Sequence, residues 1–123
     1  MKTGEEIKNR ALVLLNYTDQ NGRLNATMYT DIAARSLAIV NQIYADLWYA
    51  LYSGGFEELA TLTDEVRLPE RVTNDCMPYG VAMLLAQSIG DADHQSMMAD
   101  VYTQKRAALT HRRFRKDVLP RAI

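Results

Sequence analysis

Between Cys76 and Ala86 the chain reads Cys-Met-Pro-Tyr-Gly-Val-Ala-Met-Leu-Leu-Ala, without one charged side chain. A helix with no face suited to water belongs at the centre of a domain or inside an interface between subunits. The run is well short of the ~18 apolar residues that a membrane span needs. Pro69 suits the first position of this helix, where a missing N–H costs nothing, and Gly90 suits its close. Pro78 cannot donate to the Asn74 carbonyl and crowds it, so a kink is expected there. Gly80 has no side chain, which lets another helix approach closely. The chain must therefore fold around a bent apolar helix, with the long helix before it crossing near Gly80.

The other elements follow from periodicity. Thr3 and Glu6 stand at capping-box spacing, and Ile7, Ala11, Leu14 and Leu15 then share one helical face. The polar run from Asn16 to Gly22 ends this first helix. It fails as a calcium loop, because setting Gly22 at the sixth position places Tyr17 where a carboxylate is required. A second helix is expected from Ala26 or Thr27 to Tyr52. Its stripe is Tyr29, Ile32, Ala33, Ser36, Val40, Ile43, Tyr44, Leu47, Trp48 and Leu51, with Asp31, Arg35, Gln42 and Asp46 opposite. Ser53-Gly54-Gly55 stops it. In the irregular stretch that follows, Phe56, Leu59 and Leu62 make either a short helical turn or a fold back over the core. Glu65-Val66-Arg67-Leu68 alternates as a short extended piece, which makes no sheet unless a neighbouring subunit pairs with it. A fourth helix carries Met97, Met98, Val101, Tyr102, Ala108 and Leu109, and is expected to run to about Lys116 before Leu119-Pro120 breaks it. The expected fold is all-α: a small bundle of about four helices with one long central helix, a Pro-kinked core helix and an irregular 53–68 connection.

Hydrophobic residues at 48% and charged residues at 24% are ordinary globular values, so wholesale disorder is excluded. Cys76 is the single cysteine, which excludes an internal disulfide and a cysteine zinc site. The start, Met-Lys-Thr-Gly-Glu-Glu-Ile-Lys, lacks the apolar core of a secretory signal, so a cytosolic chain without membrane contact is expected. The net charge of −1 hides a division. Residues 1–104 hold seven Lys/Arg against fourteen Asp/Glu, whereas residues 105–123 hold seven against Asp117 alone. An acidic body with a basic end points to a partner at one end, or to the end of one subunit meeting the body of the next. The division suggests a helical domain over 1–111 and a basic tail over 112–123, either disordered or docked on a partner.

Two groups of residues are candidates for contact. Trp48, Tyr49 and Tyr52 cluster at the end of the second helix, as the rim of the core or as a docking patch. With no Lys or Arg beside them in sequence, a protein partner is favoured over nucleic acid. Arg112, Arg113, Arg115 and Lys116, with Phe114 interleaved, fit three readings: a solvated end, docking on an acidic neighbour, or direct contact with nucleic-acid phosphates. Asp91, Asp93 and His94 do not converge as metal ligands, and acidic residues at a helix start answer to its dipole. There is no glycine-rich phosphate loop, nucleophile elbow, His-Glu-x-x-His or paired-cysteine signature. Neither an enzyme, a cofactor nor a metal is expected.

Three stretches carry a resemblance. They are Asn41-Gln42-Ile43-Tyr44-Ala45-Asp46-Leu47-Trp48-Tyr49, Met77-Pro78-Tyr79-Gly80-Val81-Ala82-Met83-Leu84-Leu85-Ala86, and Gly90-Asp91. With Leu62-Thr63-Asp64-Glu65, Leu68-Pro69-Glu70 and Tyr102-Thr103-Gln104-Lys105-Arg106, they make the chain similar to the small head–tail connector (head-completion, DNA-packaging) proteins of long-tailed bacteriophages and of prophages in Gram-positive bacteria. The likeness covers roughly residues 5–109. It implies a non-enzymatic structural role in virion assembly: a homo-oligomeric ring beneath the portal protein that extends the DNA channel after packaging and receives the next head-completion or tail protein. It implies residence at the head–tail interface of the virion, and in the bacterial cytoplasm during assembly. The alternative is a small helical nucleic-acid-binding module that uses the basic tail, or more weakly a small prophage regulator acting through protein contacts.

Overall fold

The computed structural model describes residues 1–18 and 26–122, without the side chains of 26–29 and 110–122. Its helices are α1 (Gly4–Leu15), α2 (Ala26–Leu51), α3 (Glu70–Asp75), α4 (Met77–Ser88) and α5 (Ala92–Ala122). Short α3 and α4 are the two arms of one bent helix, so the architecture is the expected all-α bundle of about four. No strand occurs among the described residues.

The uncharged segment is the hub. As α4 it packs against α1, α2, α3 and α5, and Met77, Val81, Ala82, Leu85 and Ala86 are fully buried. The bend falls at Cys76 (φ −108°, ψ −52°), with Pro78 in the first turn of α4. That is where a proline interrupts least, because first-turn amides have no partner within their own helix. Pro69 caps α3 rather than opening it, one residue outside the expected start. At Gly80 the approach is tighter than a single crossing. A Cβ there would lie 2.7 Å from Tyr102 Cε1 of α5 and 2.9 Å from Ile43 Cγ2 of α2.

In α1 the capping box is reciprocal: the Glu6 N–H donates to Thr3 Oγ1 at 3.2 Å, and the Thr3 N–H to Glu6 Oε1 at 3.3 Å. Asn16, at φ 59°, ends the helix in the left-handed conformation that asparagine tolerates. Along α2, Ile32, Ser36, Val40, Ile43, Tyr44 and Leu47 are buried, and the Ser36 hydroxyl donates to the Ile32 carbonyl. Ala33 is exposed instead, because the stripe passes through Ile39, which is buried. Tyr29 lies outside the described side chains.

The connection from 52 to 69 folds back over the core. Leu59 is buried, and Phe56 and Leu62 pack against the same cluster. One side chain holds it there: Asn41 of α2 accepts from the Leu59 N–H at 2.7 Å and donates to the Leu59 carbonyl at 3.0 Å. The extended piece finds its partner in the chain's own start. Thr3 and Glu65 form an isolated antiparallel bridge, flanked by bonds from the Val66 N–H to the Lys2 carbonyl at 2.8 Å and from the Glu5 N–H to the Leu62 carbonyl at 2.8 Å. Val66 beneath it is fully buried.

The last helix departs most from expectation. It runs unbroken from Ala92 to Ala122, past Leu119 and Pro120. A proline so close to a helix end removes a single backbone bond and leaves little helix to disrupt. Met98 and Tyr102 are buried and Leu109 packs against the core, a strip at steps of four and seven. Met97 and Ala108 were expected on that side, but they fall beside the narrow strip and are exposed.

Candidate partner-docking corner

Two turns at the end of α2 and the connection after it build an aromatic corner. Phe56 packs edge-on against the fully buried Tyr44, with ring centres 5.0 Å apart, and so anchors the corner to the core. Trp48 lies 4.6 Å from Tyr52, and Tyr49 lies 5.8 Å from Phe56. The indole N–H of Trp48 donates to the Gly54 carbonyl at 2.8 Å. Gly55, at φ 79°, supplies the left-handed turn that brings Phe56 back. Trp48 is thus a half-buried strut, while Tyr49 at 58% and Tyr52 at 38% exposure present their rings outward.

The electrostatics of this corner correct one expectation. A cation does stand beside it: the Arg67 guanidinium sits 5.0 Å from the centre of the Trp48 ring, and its Nη2 donates to the Gly55 carbonyl at 3.4 Å. Sequence adjacency hid this, because the connection folds back before delivering Arg67. The rest of the corner is electronegative. Glu57 and Glu58 are exposed next to Phe56, and α2 has no basic residue in its last turn to offset the negative end of its dipole.

Beside Tyr49 an open groove of about 450 Å³ runs between α2, α4 and α5, with Gln42, Asp46, Met83, Leu84 and Tyr102 among its walls. A polar lock forms one wall. Asp46 accepts from the Tyr102 hydroxyl at 2.6 Å and from Arg106 Nε at 2.7 Å and Nη2 at 3.2 Å. Burial raises the Asp46 carboxyl, but the bonds from Arg106 and Tyr102 outweigh it and hold the group below its usual range. Burial, then the Asp46 carboxylate, pushes the Tyr102 phenol far up. A carboxylate held ionised and a phenol held protonated form a brace between α2 and α5, with neither group poised near neutrality for proton transfer.

A second brace joins the α1 end to the start of α5. Asp91 Oδ2 accepts from the Tyr17 hydroxyl at 2.6 Å and lies 2.6 Å from His94 Nδ1, while Oδ1 accepts from the His94 N–H at 3.2 Å. The Tyr17 bond, opposed by desolvation and helped by His94, lowers the Asp91 carboxyl. Asp91 therefore caps α5, and Asp93, two residues on in its first turn, is exposed. No three His, Cys, Asp or Glu side chains converge as a metal site among the described residues.

The basic end divides in two. Lys105 lies 3.9 Å from Asp75 and 5.4 Å from the centre of the Tyr79 ring, and Arg106 is bound to Asp46. Both belong to the body. Arg112, Arg113, Arg115 and Lys116 follow on the same helix, and their side chains lie outside the described residues. Asn41, Tyr17, Arg67 and the Asp46–Arg106 pair were not legible as contacts. Asn41 alone left a signal, as an amide midway along a helix whose neighbours are apolar.

No family model, curated protein or solved structure matches the chain. Among the described residues, no helix is long and apolar enough to cross a membrane.

Proposed function

We propose that this chain is a structural subunit of virion assembly, a head–tail connector of the kind its sequence resembles. It would form a ring between the portal and the tail, extend the DNA channel after packaging, and receive the next head-completion or tail protein. The observation that carries the reading is the division along α5. Met98, Tyr102, Lys105 and Arg106 bind that helix to an acidic body, and the same helix then runs on to Ala122 with the rest of the basic residues. A closed ring needs subunits with two unlike surfaces joined head to tail. An acidic body and a basic extension are two such surfaces. The stretches 41–49 and 77–86 that carry the resemblance lie in α2 and α4, which pack on each other, so they supply scaffold except for Trp48 and Tyr49 at the corner.

Purified protein should self-associate into rings visible by negative-stain microscopy, alone or on addition of portal protein. A particle that stays monomeric in light scattering at high concentration and does not bind portal refutes the proposal. The second reading, a nucleic-acid module, draws on Arg67 stacked against Trp48 and on the run Arg112–Lys116. Glu57 and Glu58, exposed and next in sequence to Phe56 of that corner, would repel phosphates and weigh against it. Truncation after Leu109 separates the two readings, since a DNA-binding tail gives a salt-dependent gel shift that truncation abolishes.

A further inference from the structure

We infer that the aromatic corner and the basic tail are two halves of one contact: the Arg/Lys-rich segment 112–116 of one copy docks on the corner of the next. This rests on the ring reading and names the surfaces that would close it. Three observations bear on the corner's preference. Its exposed rings, Tyr49 and Tyr52, offer faces that attract cations. Glu57 and Glu58 add two negative charges, and the uncompensated end of α2 adds partial negative charge. Finally, the corner already binds one guanidinium, that of Arg67 over Trp48. The chemistry it takes is therefore a cationic, arginine-rich segment.

The chain carries such a segment: Arg112, Arg113, Phe114, Arg115 and Lys116. Leu109 is the last described residue of α5 that packs on the core, and the helix continues from there to Ala122. At 1.5 Å per residue this is an arm of roughly 20 Å. An unbroken helix carries the cations out along the axis of α5, where a neighbouring copy can take them. An arm on one copy that docks on the corner of the next is a head-to-tail contact, the kind that closes into a ring.

A charge swap on the full chain tests this. The corner variant carries Glu57→Arg and Glu58→Arg, the tail variant Arg112→Glu and Arg113→Glu; all four lie outside the buried core or beyond the last residue packed on it. Each variant alone should associate on the order of a hundredfold more weakly than the unaltered chain, because like charges now meet. An equimolar mixture should recover association, since each tail then meets an opposite corner. Trp48 is the single tryptophan, so its emission reports occupancy of the corner. A synthetic peptide of residues 108–123 added to the tail variant should shift that emission saturably, and less at high salt. Assembly that survives in both variants overturns the docking and leaves the ring reading standing. Peptide binding without any assembly, alone or with portal protein, keeps the docking and removes the ring. A tail variant that assembles normally but loses DNA binding, or a Trp48 emission set by the tail regardless of concentration, overturns the inference in favour of nucleic acid or of docking within one chain.

Discussion

Replacing Gly80 by alanine adds one methyl group where α4 closely meets both α2 and α5, and the consequence can be worked from the contacts. The new Cβ would meet Tyr102 Cε1 at 2.7 Å, Ile43 Cγ2 at 2.9 Å and Tyr102 Cδ1 at 3.0 Å. Carbon atoms pack at about 3.5–4.0 Å, so something must move by roughly 0.5–1 Å. Neither neighbour moves freely. The Tyr102 ring is buried and its hydroxyl is bonded to Asp46, which Arg106 holds in turn. Ile43 sits buried in the middle of α2. Overpacking costs about 1–3 kcal/mol, and with both neighbours held this site falls in the upper half of that range, about 2–3 kcal/mol. Against it, alanine is favoured over glycine inside a helix by about 1 kcal/mol. The net expectation is a loss of about 1–2 kcal/mol, or roughly 3–8 °C in Tm for a chain of this size. Urea and thermal unfolding followed by circular dichroism measure it. Tyr102→Phe releases the ring from Asp46, so the Gly80→Ala loss should shrink by at least about 0.5 kcal/mol in the double variant. Gly80→Leu should fail to give soluble protein. A Gly80→Ala protein as stable as the unaltered chain would refute the reasoning, for it would mean that helix propensity outweighs the clash.

Asn41→Ala should cost about 2 kcal/mol, the sum of two part-buried bonds to Leu59, and should speed limited proteolysis between residues 53 and 68. Unchanged cleavage there would show that the other contacts of the connection hold it without Asn41. Because the Asp46 carboxyl is held below its usual range in the fold, the unfolded chain takes up its proton first, so its contribution is present above about pH 4 and fades below. The gap in urea midpoint between the unaltered chain and Asp46→Asn should therefore narrow as pH falls from 7 through 4. A gap that stays constant to pH 2 contradicts the assignment.

What the sequence made legible was whatever acts over a few residues. The Thr3–Glu6 box, the bend near Pro78 and the return of Phe56, Leu59 and Leu62 all rest on local geometry or on apolar content. The α2 stripe was legible for the same reason; among the described side chains it missed the buried Ile39 and wrongly included Ala33, whose small apolar side chain suits either environment. Contacts between polar groups far apart in the chain left no such trace. Asp46 reads as a solvated face residue until Tyr102 and Arg106 arrive beside it from α5. Arg67 reads as the exposed half of an alternating strand until the connection lays it on Trp48. The same ignorance of tertiary neighbours made the aromatic corner look free of cations. In α5, Met97 carries as much apolar surface as Met98, and only the narrowness of the strip facing α4 separates them.

The pairing of the first residues with the 62–66 stretch bears on how the chain comes to fold during synthesis. The carbonyl of Lys2 waits for the amide of Val66, and α1 packs on α4, whose residues end at Ser88. The capping box lets α1 form a turn early and α2 offers it a first surface, but the bridge to Glu65 and the main packing on α4 come only later. At about 5–20 residues per second, the opening segment spends on the order of ten seconds with its apolar face uncovered. It is thus translated well before the residues that secure it. Chaperone demand and sensitivity to mutation should gather at that delay: slowing translation before residue 62 lengthens the exposure, and weakening the Thr3 cap removes the one local device that shortens the search.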